Sequence, residues 1–138
     1  MADELDLRLL GHARALAERA ARAGGEVALR HFRDPRLRVE TKADGSVVSV
    51  ADRAAEDAVR ATLAADDRCS GWDVLGEEHG ASGGGSELRW VIDPIDGTFL
   101  FVNGIPLWGT LVALEHAPTG RGLAGIVHLP AIGALYSA

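Results

Sequence analysis

The sequence predicts an α+β fold, with two N-terminal helices packed on an antiparallel sheet. Three observations carry this expectation. Apolar residues recur at three- and four-residue spacing in the first half of the chain. Short runs of alternating β-type residues fill the second half, punctuated by Gly and Pro turns. Helical and extended segments are grouped rather than interleaved, which separates this pattern from a parallel α/β chain. With 138 residues the chain is long enough for one domain with a core.

The first helix is expected from about Glu4 to Phe32, along Leu5, Leu9, Ala13, Leu16, Ala20, Ala23, Val27 and Phe32. Gly24 and Gly25 inside it each cost about 1 kcal/mol against alanine, which close packing of another element would explain. Asp34-Pro35 ends the helix, because the residue before proline is pushed away from the helical region. A short strand is expected at Leu37–Thr41, then a turn at Lys42–Ser46, then an extended Val47-Val48. Ser49 opens a second helix to about Ala65, with Asp52 three residues on in the manner of a capping box.

Trp72–Gly76 reads as a strand that delivers Glu77 and Glu78. Ala81–Ser86 reads as a flexible Gly/Ser loop inside the domain. Leu107–Glu115, Leu123–Leu129 and Ala134–Ser137 read as successive antiparallel strands, with turns at Ala117–Gly120 and Pro130–Gly133. The chain stops at Ala138 inside an apparent strand, so further polypeptide is expected after it.

The stretch WVIDPIDGTFLFVNGIP, from Trp90 to Pro106, organises the rest. A buried strand around Trp90–Ile92 runs into Asp93, Pro94, Ile95, Asp96, Gly97 and Thr98. Pro94 and Gly97 are expected to stop the strand and force a tight turn, holding two carboxylates three residues apart. Carboxylate and carbonyl oxygens are the donors that hard cations such as Mg²⁺ prefer. Gly97-Thr98 could open a short helix whose free N–H groups face an anion. Glu77 and Asp93 both follow strands, so their acidic ends converge if those strands are neighbours. Such a cluster repels itself without cations, which raises its pKa values. Taken singly, Asp52 reads as a cap, Glu77-Glu78 as a solvated strand end, Lys42 as a surface lysine and Thr98 as a helix-terminal hydroxyl.

Composition narrows the function. A net charge of −6 gives no nucleic-acid footprint. The single cysteine, Cys69, can make neither an internal disulfide nor a Cys-type zinc site, and reads as a reduced thiol in a cytoplasmic protein. The N-terminus lacks the apolar core of a signal peptide, and no run of eighteen apolar residues offers a membrane span. Serine-hydrolase elbows, Cys–His pairings and P-loops are absent.

DPIDGT after a W-V-I strand resembles the signature of the inositol monophosphatase superfamily of magnesium-dependent phosphatases. KADGSVVSVADRAAE at Lys42–Glu56 and LGEEHG at Leu75–Gly80 match it in the right order. The resemblance covers essentially the whole chain but only the N-terminal half of the family's usual length. It implies a layered α/β/α/β/α fold when complete, and two or three Mg²⁺ ions in the complete site. It implies Glu77, Asp93, Asp96 and the Ile95 carbonyl as metal ligands, with Glu78 behind Glu77. It implies Gly97 and Thr98 as the phosphate turn, and Asp52 with Thr98 as the pair that orients and deprotonates the attacking water. Lys42 and Asp44 resemble a mobile loop that helps hold a further metal. The implied reaction is direct attack of metal-activated water on a small phosphate monoester, without a phosphoenzyme.

Within the superfamily, Pro106-Leu107-Trp108-Gly109-Thr110-Leu111 is most similar to the histidinol-phosphate phosphatase branch. An inositol-phosphate or sugar-phosphate phosphatase is the alternative, as is a truncated, non-catalytic metal-binding half-domain. Two departures favour the latter. Phe99-Leu100 stands where the family commonly has a polar or basic residue and then asparagine, and the family's late W-D-x-A-A-G segment is absent. A homodimer or a missing C-terminal half is the expected protein partner, with no nucleic acid and no membrane.

Overall fold

The computed structural model describes residues 6–138. Glu4 and Leu5, at the start of the expected first helix, lie outside these residues. Helix α1 spans Leu7–His31, capped by the Asp6 carboxylate, which accepts the Arg8 N–H at 3.0 Å. It ends at His31, ahead of Asp34-Pro35: Phe32 is extended (ψ 126°), Arg33 is left-handed (φ 61°), and the Arg33 guanidinium donates to the Gly104 carbonyl at 3.1 and 2.9 Å. The buried stripe of α1 is narrower in side-chain size than expected: Ala13, Leu16, Ala17, Ala20, Ala21, Gly24, Gly25 and Ala28. Ala23 and Val27 are only half buried. The two glycines are close-packing positions. A Cβ on Gly24 would stand 2.6 Å from Val59 Cγ2, and one on Gly25 2.5 Å from His128 Nδ1.

Strands β1 (Val39–Thr41) and β2 (Val47–Ser49) form a separate antiparallel hairpin. Helix α2 follows at once, from Val50 to Ala64. Strands β3 (Asp73–Gly76) and β4 (Gly80–Ser82) form a second hairpin. Ala81 and Ser82 therefore lie in a strand, where the sequence reading placed a flexible loop. The glycines after them wrap onto Asp73, whose carboxylate accepts the Gly85 N–H at 3.1 Å.

Strand β5 (Leu88–Asp96) is the long central strand, and it runs through Pro94 instead of stopping there. The expected break at Pro94 is absorbed by a bulge: Asp93 pairs with Leu111 and Asp96 with Gly109, so one extra residue stands on the β5 side. The bulge takes Pro94, which has no N–H, out of the ladder, and the buried Thr110 hydroxyl donates to the Pro94 carbonyl at 2.9 Å. Gly97 (φ 83°) then ends the strand and opens α3 (Thr98–Val102).

Strands β6 (Gly109–His116), β7 (Arg121–Leu129) and β8 (Ala134–Ser137) complete a meander. The six-stranded order is β4-β3-β5-β6-β7-β8. All pairs are antiparallel except β3 with β5, which run parallel, Gly76 opposite Ile92. Helices α1 and α2 cover one face, over a core that includes Leu16, Leu63, Trp90, Ile92, Leu114 and Ile126. A second cluster packs α3 beneath the end of α1, where Phe101 meets Trp108 edge-on at 4.9 Å and Phe32 lies 5.5 Å from both. Among the described residues no helix is long and apolar enough to cross a membrane.

Candidate metal and phosphate site

The parallel pairing of β3 with β5 decides the site. Two parallel neighbours end on the same side of a sheet, so the residues that follow Gly76 and Ile92 emerge together. The Glu77 N–H donates to the Ile92 carbonyl at 3.2 Å and extends that ladder by one step. Glu77 is thereby set beside Asp93, and the bulge between Asp93 and Asp96 leaves the Asp96 carboxyl close to it as well. Burial pushes the Asp93 carboxyl up to about 8, and the Glu77 and Asp96 carboxyls beside it push the same way. Asp93 Oδ1 is buried and has no hydrogen-bond partner. A buried carboxylate oxygen facing two further acids, with no donor, is an arrangement that a cation completes.

Asp52 stands at the N-terminus of α2 with 1% of its surface exposed. One oxygen accepts the Ser49 N–H and the Ser49 hydroxyl, both at 2.8 Å. The other accepts the Thr98 hydroxyl at 3.0 Å. Asp52 is therefore a cap and also the partner of Thr98. The Thr98 hydroxyl lies 3.1 Å from the Ile95 carbonyl as well, so its one proton is shared between the two oxygens. Gly97 adopts its left-handed conformation at the junction, and the α3 backbone begins within this contact.

The β1–β2 hairpin reaches in through Lys42, whose ammonium lies 3.0 Å from Glu78. Burial pulls the Lys42 pKa down, but Glu78, with Glu77 and Asp52 behind it, outweighs burial and holds it above the ordinary lysine range. Glu78 is pushed up by burial, against the pull of Lys42. Asp44 is not brought in. Its carboxylate is turned to Ser46, accepting the N–H at 2.9 Å and the hydroxyl at 2.6 Å, and these bonds hold its pKa low.

One residue that sequence reasoning gave no role is built into the site from beneath. Glu56 is wholly buried on α2, one turn after Asp52, and accepts the N–H groups of Glu78 at 3.2 Å and His79 at 2.7 Å. Its signal was present: a glutamate on the buried stripe Ala51, Asp52, Ala55, Glu56, Val59, Leu63.

A different trio, His12, Asp66 and Cys69, also has donor atoms within 4.8 Å of one another. Imidazole and thiol are poor donors for Mg²⁺. Asp66 is occupied there by His12 at 2.7 Å and by the N–H groups of Arg68 and Cys69, and the trio fastens α1 to the end of α2. Burial, with Asp66 beside it, raises the Cys69 thiol to about 11.

Residues 10–138 match the inositol monophosphatase family. The chain belongs to that family. It is 45% identical over 136 residues to a histidinol-phosphatase of Streptomyces coelicolor, covering 96% of this chain and 47% of the relative. It is 38% identical over 123 residues to an inositol-1-monophosphatase of Mesorhizobium japonicum, covering 88% and 45%. The crystal structure of the extragenic suppressor protein SuhB from Bartonella henselae superposes with a TM-score of 0.83 at 30% identity, covering 92% of this chain and 48% of that one. The chain thus spans about half the length of these inositol monophosphatase family relatives. The family is generally Mg²⁺-dependent.

Proposed function

We propose that this chain supplies the metal-ligating half of a Mg²⁺-dependent phosphomonoesterase. The observation that carries the reading is the unpartnered, buried Asp93 oxygen in a carboxylate that Glu77 and Asp96 both crowd. Glu77, Asp93, Asp96 and the Ile95 carbonyl would hold the metal, an all-oxygen set suited to Mg²⁺. When bound, Mg²⁺ would polarise a phosphoryl oxygen and lower the pKa of water. Asp52 accepts the Thr98 proton and leaves the Thr98 oxygen a lone pair with which to orient a water. Gly97 and the start of α3 would receive the phosphate, with no side chain at Gly97 to bar its approach. Lys42, paired with Glu78, offsets part of the negative charge around the carboxylates.

Histidinol phosphate is the substrate we favour, because the relatives named histidinol-phosphatase include the 45% identical Streptomyces protein and a 43% identical one from Mycobacterium tuberculosis. Inositol 1-phosphate is the rival, on the 38% identical Mesorhizobium relative. The structure adds an observation in favour of the half-domain alternative: Phe99, beside the phosphate turn, is 66% exposed where a polar group would serve a phosphate better.

Phosphate release is the test. The chain alone is expected to turn over neither substrate. Mixed with the C-terminal half of the Streptomyces relative, it is expected to hydrolyse histidinol phosphate in preference to inositol 1-phosphate, and to stop when Asp93 is changed to Asn. Preference for inositol 1-phosphate would overturn the substrate, and a soluble assembled pair with no turnover would favour the non-catalytic reading.

A further inference from the structure

Glu56 carries an arrangement that the ligand set does not explain. A glutamate with 0% exposure is costly to bury unless its oxygens are fully used. Here they are used on backbone: Oε1 takes the Glu78 N–H and Oε2 the His79 N–H. Arg60, one turn further along α2, lies 3.7 Å from Oε2 and carries the clamp onward, donating to the Gly80 carbonyl and to the Ser82 hydroxyl at 3.0 Å. His79 sits 3.8 Å from Oε2 but closer to Asp57, at 2.9 Å. Gly76 completes the fit: a Cβ there would stand 1.9 Å from Glu56 Oε1 and 2.7 Å from the Arg60 guanidinium. The end of β3 lies directly on the glutamate, and a larger residue at Gly76 would displace the Glu56 carboxylate or the Arg60 guanidinium.

We propose that Glu56 is a positioning residue for the metal centre, its buried carboxylate gripping the Glu78 and His79 N–H groups so that Glu77 is held against Asp93. The inference rests on the metal reading of Glu77, Asp93 and Asp96. Its physical content is that one face of α2 sets both walls of the site. Asp52 fixes the Thr98 turn, and Glu56, four residues on, fixes the Glu77 turn. Without Glu56 the β3–β4 turn would retain the Glu77 N–H bond to the Ile92 carbonyl, the Lys42–Glu78 and His79–Asp57 pairs and the Arg60 contacts, none of which bonds the Glu78 or His79 N–H. Groups that orient metal ligands without touching the ion typically govern ten- to a hundred-fold in affinity.

The experiment is a Mg²⁺ titration followed by the rise in thermal unfolding midpoint, on the native chain, Glu56→Gln, Asp93→Asn and Val59→Ala. Gln keeps the size of Glu but turns a donor toward one of the two N–H groups. Glu56→Gln is expected to need about ten-fold or more Mg²⁺ to reach the same rise in midpoint over its metal-free value as the native chain. Val59→Ala, in the same helix and equally buried, should lower the metal-free midpoint yet leave the Mg²⁺ requirement unchanged. A Glu56→Gln requirement equal to the native one, while Asp93→Asn abolishes the response, would overturn the positioning role and leave the metal reading standing. No response in the native chain would overturn the metal reading and the inference with it. Should Glu56→Gln fail to fold, amide exchange in the native chain decides. The Glu78 and His79 N–H groups are expected to be protected without metal, and exchange at the rate of a free loop would overturn the grip.

Discussion

The hydroxyl of Thr98 donates to the carboxylate of Asp52 across 3.0 Å and 46 residues of chain. It ties the first turn of α2 to the first residue of α3, and it is partly buried. Thr98→Val keeps the shape and removes the donor. One oxygen of the buried Asp52 is then left without a partner, which costs about 1–3 kcal/mol. Urea unfolding should show that loss. In the assembled enzyme the same change should lower turnover about a hundred-fold or more, the usual contribution of a proton-handling group. Full turnover in Thr98→Val would remove Thr98 from the chemistry.

Asp93→Asn tests the cluster without assembly. Mg²⁺ at a hundred times its dissociation constant should stabilise the native chain by roughly 2.7 kcal/mol, and the variant should show none of it. The metal-free pH profile should change too. The Asp93 pKa is raised when folded, so its contribution is fully present below the ordinary value of 3.8 and lost as pH rises toward about 8. Native stability should therefore fall relative to Asp93→Asn between pH 4 and 8. Parallel profiles would mean Asp93 is not crowded by Glu77 and Asp96.

Two glycines of α1 should respond to alanine in opposite ways. Gly11 has nothing within 4 Å of a Cβ, so Gly11→Ala should gain about 1 kcal/mol of helix preference. Gly25→Ala would drive its methyl to 2.5 Å from the His128 ring, and overpacking of about 1–3 kcal/mol exceeds that gain. Thermal unfolding of the pair checks both signs. A stabilised Gly25→Ala would mean β7 yields to α1.

His128 should make the chain acid-sensitive. Its buried ring donates from Nδ1 to the Ala21 carbonyl at 3.3 Å, with Arg22 and Glu26 nearby. Burial, helped by Arg22, lowers its pKa against the smaller upward pulls of Ala21 and Glu26. The unfolded chain takes up the proton near 6.5 and the folded chain resists it, so stability is full above about 6.5 and declines as pH falls below it. Measured as a difference from His128→Gln, which cancels the other titrating groups, native stability should drop between pH 7 and 5. A constant difference would show that the ring charges freely in place.

Much was determined by local sequence. Period and turn chemistry are short-range properties, so both helices, the meander from β5 to β8 and the Gly97 junction could be placed from residues a few positions apart. The DPIDGT turn drew attention to Asp93 and Asp96 for the same reason. Three features needed the tertiary structure. Pro94 reads as a strand stop, yet Thr110, sixteen residues away, satisfies its carbonyl and lets a bulge carry β5 on. Ala81 and Ser82 read as loop, yet β3 offers them a partner. Glu56 stands on the apolar stripe of α2, but what it bonds, the Glu78 and His79 N–H groups of the β3–β4 turn, is twenty-two and twenty-three residues away. Whether Glu77 meets Asp93 was also open in the sequence, because strand order is set by long-range packing of α1 and α2 on one face. The β3–β5 pairing settles it: parallel neighbours end on the same side of the sheet, and that places two carboxylates, distant in sequence, at one end of it.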